Sequence, residues 1–190
     1  MKATTIQEVI QQLDQIIERS KKEQSALGYF AVLYRKVTIR VMEGIKRQEF
    51  EDNARMEKLD VIFANRYLEA YDLFLKNETV PASWRIAFEH AQNKSGMILQ
   101  YLLLGMNAHI NLDLGIAAAE TSADNELKFL HKDFLMINQI LSEMVDKVKD
   151  NIGRVSPIFK LLMPMTKRLD EKLIQFSITT ARDGAWQFAN

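Results

Sequence analysis

The chain has 190 residues, with 25 basic and 25 acidic side chains, no cysteine, seven Gly and three Pro. Without cysteine there is no disulfide framework, thiolate zinc site, iron–sulfur cluster or thiol nucleophile. A net charge of zero lacks the field that draws a protein to nucleic acid, and no nucleic-acid partner is expected. Gly and Pro together average about 12% of residues in proteins, so their scarcity here predicts long helices and few turns.

The start, MKATTIQEVIQQLDQ, shows no uninterrupted apolar stretch and no small-residue cleavage site. No signal peptide is expected, and the expected location is the cytoplasm. Thr5-Ile6-Gln7-Glu8 reads as a capping box opening a helix with the apolar stripe Ile6, Val9, Ile10, Leu13, Ile16 and Ile17. Ser25 and Gly28 approach a second helix with Phe30, Leu33, Tyr34, Val37, Val41 and Ile45 on one face. Asp52 or Asn53 caps a third, carrying Met56, Leu59, Phe63, Tyr67, Ala70 and Phe74. After Asn77-Glu78-Thr79-Val80-Pro81, Ser83 is expected to cap a fourth helix beginning at Trp84. The pattern leaves open whether that helix ends near Asn93–Gly96 or continues.

Between Met97 and Ala119 there is no Lys or Arg, a length that fits a membrane span. The stretch nevertheless contains Gln100, Asn107, His109, Asn111 and Asp113. A central Asp alone costs roughly 2.5–3.5 kcal/mol on insertion. The segment is therefore read as the central, protein-surrounded helix of a bundle, at about 97–120, with no membrane partner. Further helices are expected from about Lys132 to Ile152 and from about Thr166 to Phe188, with a break at Ser156-Pro157. No strict alternation predicts a strand. The expected fold is all-α: one domain over 1–190, six or seven helices packed around the central one.

Chemistry concentrates in the central segment. His109 and Asp113 fall one turn apart on one face, and Asn107 and Asn111 form a second pair on the nearly opposite face. If the helix is surrounded, both pairs point into its packing and need partners. Asp60 sits inside an apolar pattern where a carboxylate is unexpected, and Asn65, Arg66 and Tyr67 follow it. Arg40 and Arg182 are candidate counter-ions, Trp186 following Arg182 by one turn.

Two readings stay open. In one, a small-molecule site, His109, Asp113 and Asp60 hold a single divalent ion whose bound water is the nucleophile, or a carboxylate orients His109 as general base. Asn107, Asn111, Asn65, Arg66, Tyr67 and Arg182 then orient substrate or ligands. In the other, the same groups are a satisfied polar network that fixes helix packing without catalysis. His90 and His131 stand alone among charged residues and read as surface or helix-end positions. Nine Met and several aromatics would also supply a patch for a homodimer.

The chain resembles an uncharacterised bacterial family described as a domain of unknown function. The resemblance rests on Gly28-Tyr29-Phe30-Ala31, Leu33-Tyr34-Arg35, Leu59-Asp60-Val61 and Phe63-Ala64-Asn65-Arg66-Tyr67. Its centre is the run GMNAHINLDL from Gly105 to Leu114, and it extends to Asp133-Phe134, Ser156-Pro157, Ala181-Arg182 and Ala185-Trp186. It implies one helical domain and brings no activity. The pair His109-x-x-x-Asp113 is also similar to one in helical zinc-dependent phospholipases C and single-strand nucleases, where it binds metal. This chain departs from those enzymes. It starts Met1-Lys2 rather than with a metal-binding Trp, and it lacks both their next His and their later H-x-x-x-E.

Overall fold

In the computed structural model, residues 2–93, 96–122, 128–137, 139–141, 180–187 and 189 are described. Every regular element among them is helical and none is a strand, which gives the all-α fold expected. Helix α1 spans Ile6–Lys22, α2 Gly28–Lys46, α3 Asn53–Leu75 and α4 Ala82–Gln92. Helix α5 (Ile98–Ala108) passes through a π-helical turn (His109–Asp113) into α6 (Leu114–Thr121), making one continuous run. Residues 128–137, 139–141 and 180–187 are also helical. Counting 98–121 as one, five helices and these three further helical stretches are present among the described residues.

The caps follow the sequence with two shifts. Thr5 is the N-cap of α1 and its side chain accepts from the Glu8 backbone N–H. Glu8 closes back one residue earlier than a standard capping box, accepting from the Thr4 N–H and hydroxyl. Asp52 caps α3. Ser83 does not cap α4: Pro81 is the N-cap and the helix starts at Ala82, because proline's fixed φ already suits the entry to a helix. Helix α4 ends at Gln92 and α5 starts at Ile98, so the two are separate. At the start of α5 the Gln100 side chain accepts from the Met97 N–H.

With so few glycines, α1, α2 and α3 end on Gln24, Gln48 and Asn77 in the left-handed region, at φ 49°, 57° and 56°. Each closes in the same way. The N–H after the left-handed residue reaches back to Ser20, Gly44 or Leu73, at 2.8, 3.0 and 2.9 Å. This is the Schellman arrangement, formed here without its usual glycine.

α1 and α2 form an antiparallel hairpin, tied by the Arg35–Asp14 ion pair. At its closed end Gly28 lies so near Ser20 that a Cβ there would fall 2.6 Å from the Ser20 Cβ. α3 runs antiparallel to α6, with Lys58 donating to the Thr121 carbonyl at one end and Arg66 paired with Asp113 at the other. The expected stripe of α1 is buried throughout, and one apolar cluster joins α1 to α6 with Leu130, Ile137 and Ile140. Asp133 anchors the 128–137 stretch, its carboxylate accepting from the N–H groups of Glu51 and Asp52 just ahead of α3. That segment begins earlier than the expected Lys132; positions 142–152, the break at Ser156-Pro157 and positions 166–179 lie outside the described residues.

The run Ile98–Thr121 packs on α2, α3 and α4. By length and composition it is the one helix among the described residues able to cross a membrane, and half of its most apolar window is buried. Its outer stripe, Gln100, Leu103, Asn107 and Asn111, is exposed.

Candidate functional site

The π turn brings His109 and Asp113 into the core, where they are 3% and 1% exposed. Asp113 is the hub. Its Oδ1 accepts from Arg66 Nε on α3 at 2.9 Å, and its Oδ2 from Trp84 Nε1 on α4 at 2.7 Å. His109 Nδ1 stands 3.3 Å from the same Oδ2. One carboxylate thus ties together three stretches of chain distant in sequence. Burial pushes the Asp113 carboxyl upward, but the hydrogen bonds from His109, Trp84 and Arg66 outweigh it and hold it below its ordinary value.

An ionised carboxylate can only accept, so Nδ1 carries the imidazole hydrogen and Nε2 carries the lone pair. Burial lowers the His109 pKa despite the opposing pull of Asp113, which keeps the ring neutral. Nε2 is buried and has no hydrogen-bond partner. The ring is boxed by aromatics: Phe63 stacks on it at 3.5 Å between centroids, and Tyr34 meets it edge-on at 4.5 Å. Phe30, Trp84 and Tyr67 complete the enclosure at 5.7, 5.7 and 6.3 Å. The approach of Phe30 depends on Gly105, where a Cβ would lie 2.5 Å from the Phe30 ring.

Three further buried polar atoms in this cluster lack partners: the Tyr34 and Tyr67 hydroxyls and Asp60 Oδ2. Burial, with Glu57 adding to it, pushes the Asp60 carboxyl up to about 7. Burial also raises the Tyr34 phenol, and the charges of Asp60 and Asp113 act in the same direction, so Tyr34 feels both carboxylates. The two acids are held in opposite senses, one disposed to keep a proton and the other to lose it.

Several sequence assignments change. Asn107 and Asn111 do not point into the packing; they are exposed and bond to each other, because α2, α3 and α4 leave that stripe of the run uncovered. Asn65 is buried, but its amide is taken up by the backbone of Ala3, donating to the carbonyl and accepting from the N–H at 2.8 Å each. The counter-ion of Asp113 is Arg66, not Arg40 or Arg182. Arg40 pairs with Glu49 at 2.8 Å. Arg182 is buried elsewhere, donating to the Phe134 carbonyl at 2.6 Å and lying over the Phe134 ring, and burial pushes it down to about 9. His131 is exposed beside Trp186, and His90 is half-buried against Tyr101.

A metal-holding trio of His109, Asp113 and Asp60 does not assemble: among the described residues no three His, Asp or Glu side chains form such a group. The donor chemistry agrees, since both Asp113 oxygens are engaged by N–H donors and the guanidinium of Arg66 already answers its charge. Trp84 and Tyr34 were missed as site residues. The usable signal for Trp84 is general: a buried indole N–H needs an acceptor.

Fold and site together define a helical protein with a buried Asp–His pair inside an aromatic enclosure. The chain belongs to the family of unknown function DUF5995, whose model matches residues 6–190. Neither a curated protein nor a solved structure matches it.

Proposed function

We propose that the aromatic enclosure is a small-molecule site in which His109 is a general base positioned by Asp113. The observation that carries this reading is the unpartnered Nε2 of a neutral imidazole whose Nδ1–H is held by an ionised carboxylate. Held this way, the ring has one tautomer and one orientation, which is what proton abstraction requires. Asp113 acts only through His109, as a positioning residue. Phe63 and Arg66, both partly exposed, form the outer wall through which a ligand would reach the ring.

The test is a panel of ester, amide and phosphoester hydrolyses and of proton exchange from carbon acids, run on the wild type and on His109→Gln. Turnover in at least one class that His109→Gln abolishes, with the helical content kept, supports the base. A panel without turnover, or turnover that survives His109→Gln, overturns it.

A second reading has its own observation. Asp113 takes three donors from α3, α4 and the π turn, as a purely structural clamp would. That reading expects Asp113→Asn to lower the melting temperature strongly while His109→Gln changes no chemistry.

A further inference from the structure

We infer that the cluster of Asp60, Tyr34, Tyr67 and His109 binds a small protonated amine. The inference takes from the proposed function one point, that Nε2 of His109 is unprotonated.

The charge balance of the core is uneven. Asp113 is answered by Arg66, but no ion pair to Asp60 exists among the described residues, and the charge acting on it is that of another acid, Glu57. Without a cation the buried Asp60 holds its proton, and a cation placed beside it would favour the ionised carboxylate. Asp60, Phe63 and Tyr67 are spaced i, i+3 and i+7 on α3 and share a face. Tyr67 lies 6.1 Å from Tyr34 between ring centroids, and Tyr34 lies 4.5 Å from His109. The four residues are therefore neighbours in the core, and the charge of Asp60 is felt at Tyr34.

His109 Nε2, and Asp60 Oδ2 once ionised, need a donor. Asp60 Oδ2 and His109 Nε2 accept, and the two phenols accept as readily as they donate. An ammonium group has three N–H donors and no acceptor, which complements this set. The surrounding rings of Phe30, Phe63 and Trp84 present π faces and edges, and a desolvated cation against such rings gains further. An anion would set its charge against Asp60 and its lone pairs against Nε2 of His109.

The experiment titrates methylammonium and ethylammonium chloride into the full chain at constant ionic strength, reading Tyr and His resonances by NMR. Sodium chloride, methanol, acetamide and sodium acetate serve as controls. Saturable shifts with the amines alone, weakened about tenfold or more by Asp60→Asn and less by Tyr34→Phe, are expected. Amines without a saturable response, or an equal response in Asp60→Asn, overturn the site. The 15N shifts of His109 in the same samples separate the two ideas. An unprotonated Nε2 without amine binding rejects the amine site and leaves the base standing. A protonated Nε2 rejects the base, and amine binding is then judged on Asp60→Asn alone.

Discussion

Trp84 and Asp113 lie 29 positions apart in sequence and are joined in the core by a 2.7 Å hydrogen bond from the indole N–H to Oδ2. That bond fixes α4 to the π turn and, with those from His109 and Arg66, helps hold the buried carboxyl below its ordinary value. Trp84→Phe keeps the ring and removes the donor, and a hydrogen bond to a charged group contributes about 1.5–3 kcal/mol. A domain of this size loses roughly 2–4 °C per kcal/mol. Thermal unfolding followed by circular dichroism should therefore show a fall of about 3–12 °C.

Asp60 predicts a pH dependence. Its carboxyl rises from 3.8 to about 7 on folding, so its contribution is intact below pH 3.8 and is lost as pH climbs to about 7. A rise of that size corresponds to about 4 kcal/mol. Asparagine imitates the protonated form, so Asp60→Asn should gain stability over the wild type between pH 5 and pH 8, with the gap levelling above that. His109 has the opposite slope, its stability present above 6.5 and lost as pH falls, but it is common to both proteins and cancels. Denaturant unfolding at pH 5, 7 and 8.5 measures the gap; a gap that is constant with pH would contradict the assignment.

Two glycines separate packing from propensity. Gly105→Ala forces a methyl into the Phe30 ring, which is hemmed in by Tyr34, Tyr67, Trp84 and His109 and has nowhere to move. The expected loss is about 1–3 kcal/mol, with a changed His109 environment by NMR. Gly184→Ala, in the helical residues 180–187, meets nothing within 4 Å and should be neutral or stabilising by up to about 1 kcal/mol.

The helix ends offer a gain. Gln24 and Gln48 hold left-handed backbone at a cost of roughly 1 kcal/mol each, a cost glycine does not bear. Gln24→Gly and Gln48→Gly, singly and together, should raise the melting temperature additively, since each closes its own helix.

How much of this the sequence showed depended on distance along the chain. The stripes of α1 to α3 are local periodicities, and they placed the helices correctly. Asp60 stood out as buried because it interrupts such a stripe, and the His109–Asp113 spacing revealed their bond because both residues share one turn. Trp84, Arg66 and Asn65 found partners 29, 47 and 62 positions away, pairings that no local pattern encodes. Asn107 and Asn111 were misplaced for a different reason. Composition says how apolar a helix is, but not on which side its neighbours stop.

The π turn makes the site depend on residue count as well as residue type. Its hydrogen bond runs from the Leu114 N–H to the His109 carbonyl, one residue wider than an α turn. Removing a single residue between His109 and Asp113 would let the run close as ordinary α-helix. Every side chain of the site would survive and α6 would keep its face, yet His109 and Asp113 would stand three positions apart instead of four. The bond at risk is the one between those two, while Arg66 and Trp84 keep their acceptor. The site is thus vulnerable to a one-codon deletion that changes none of its amino acids.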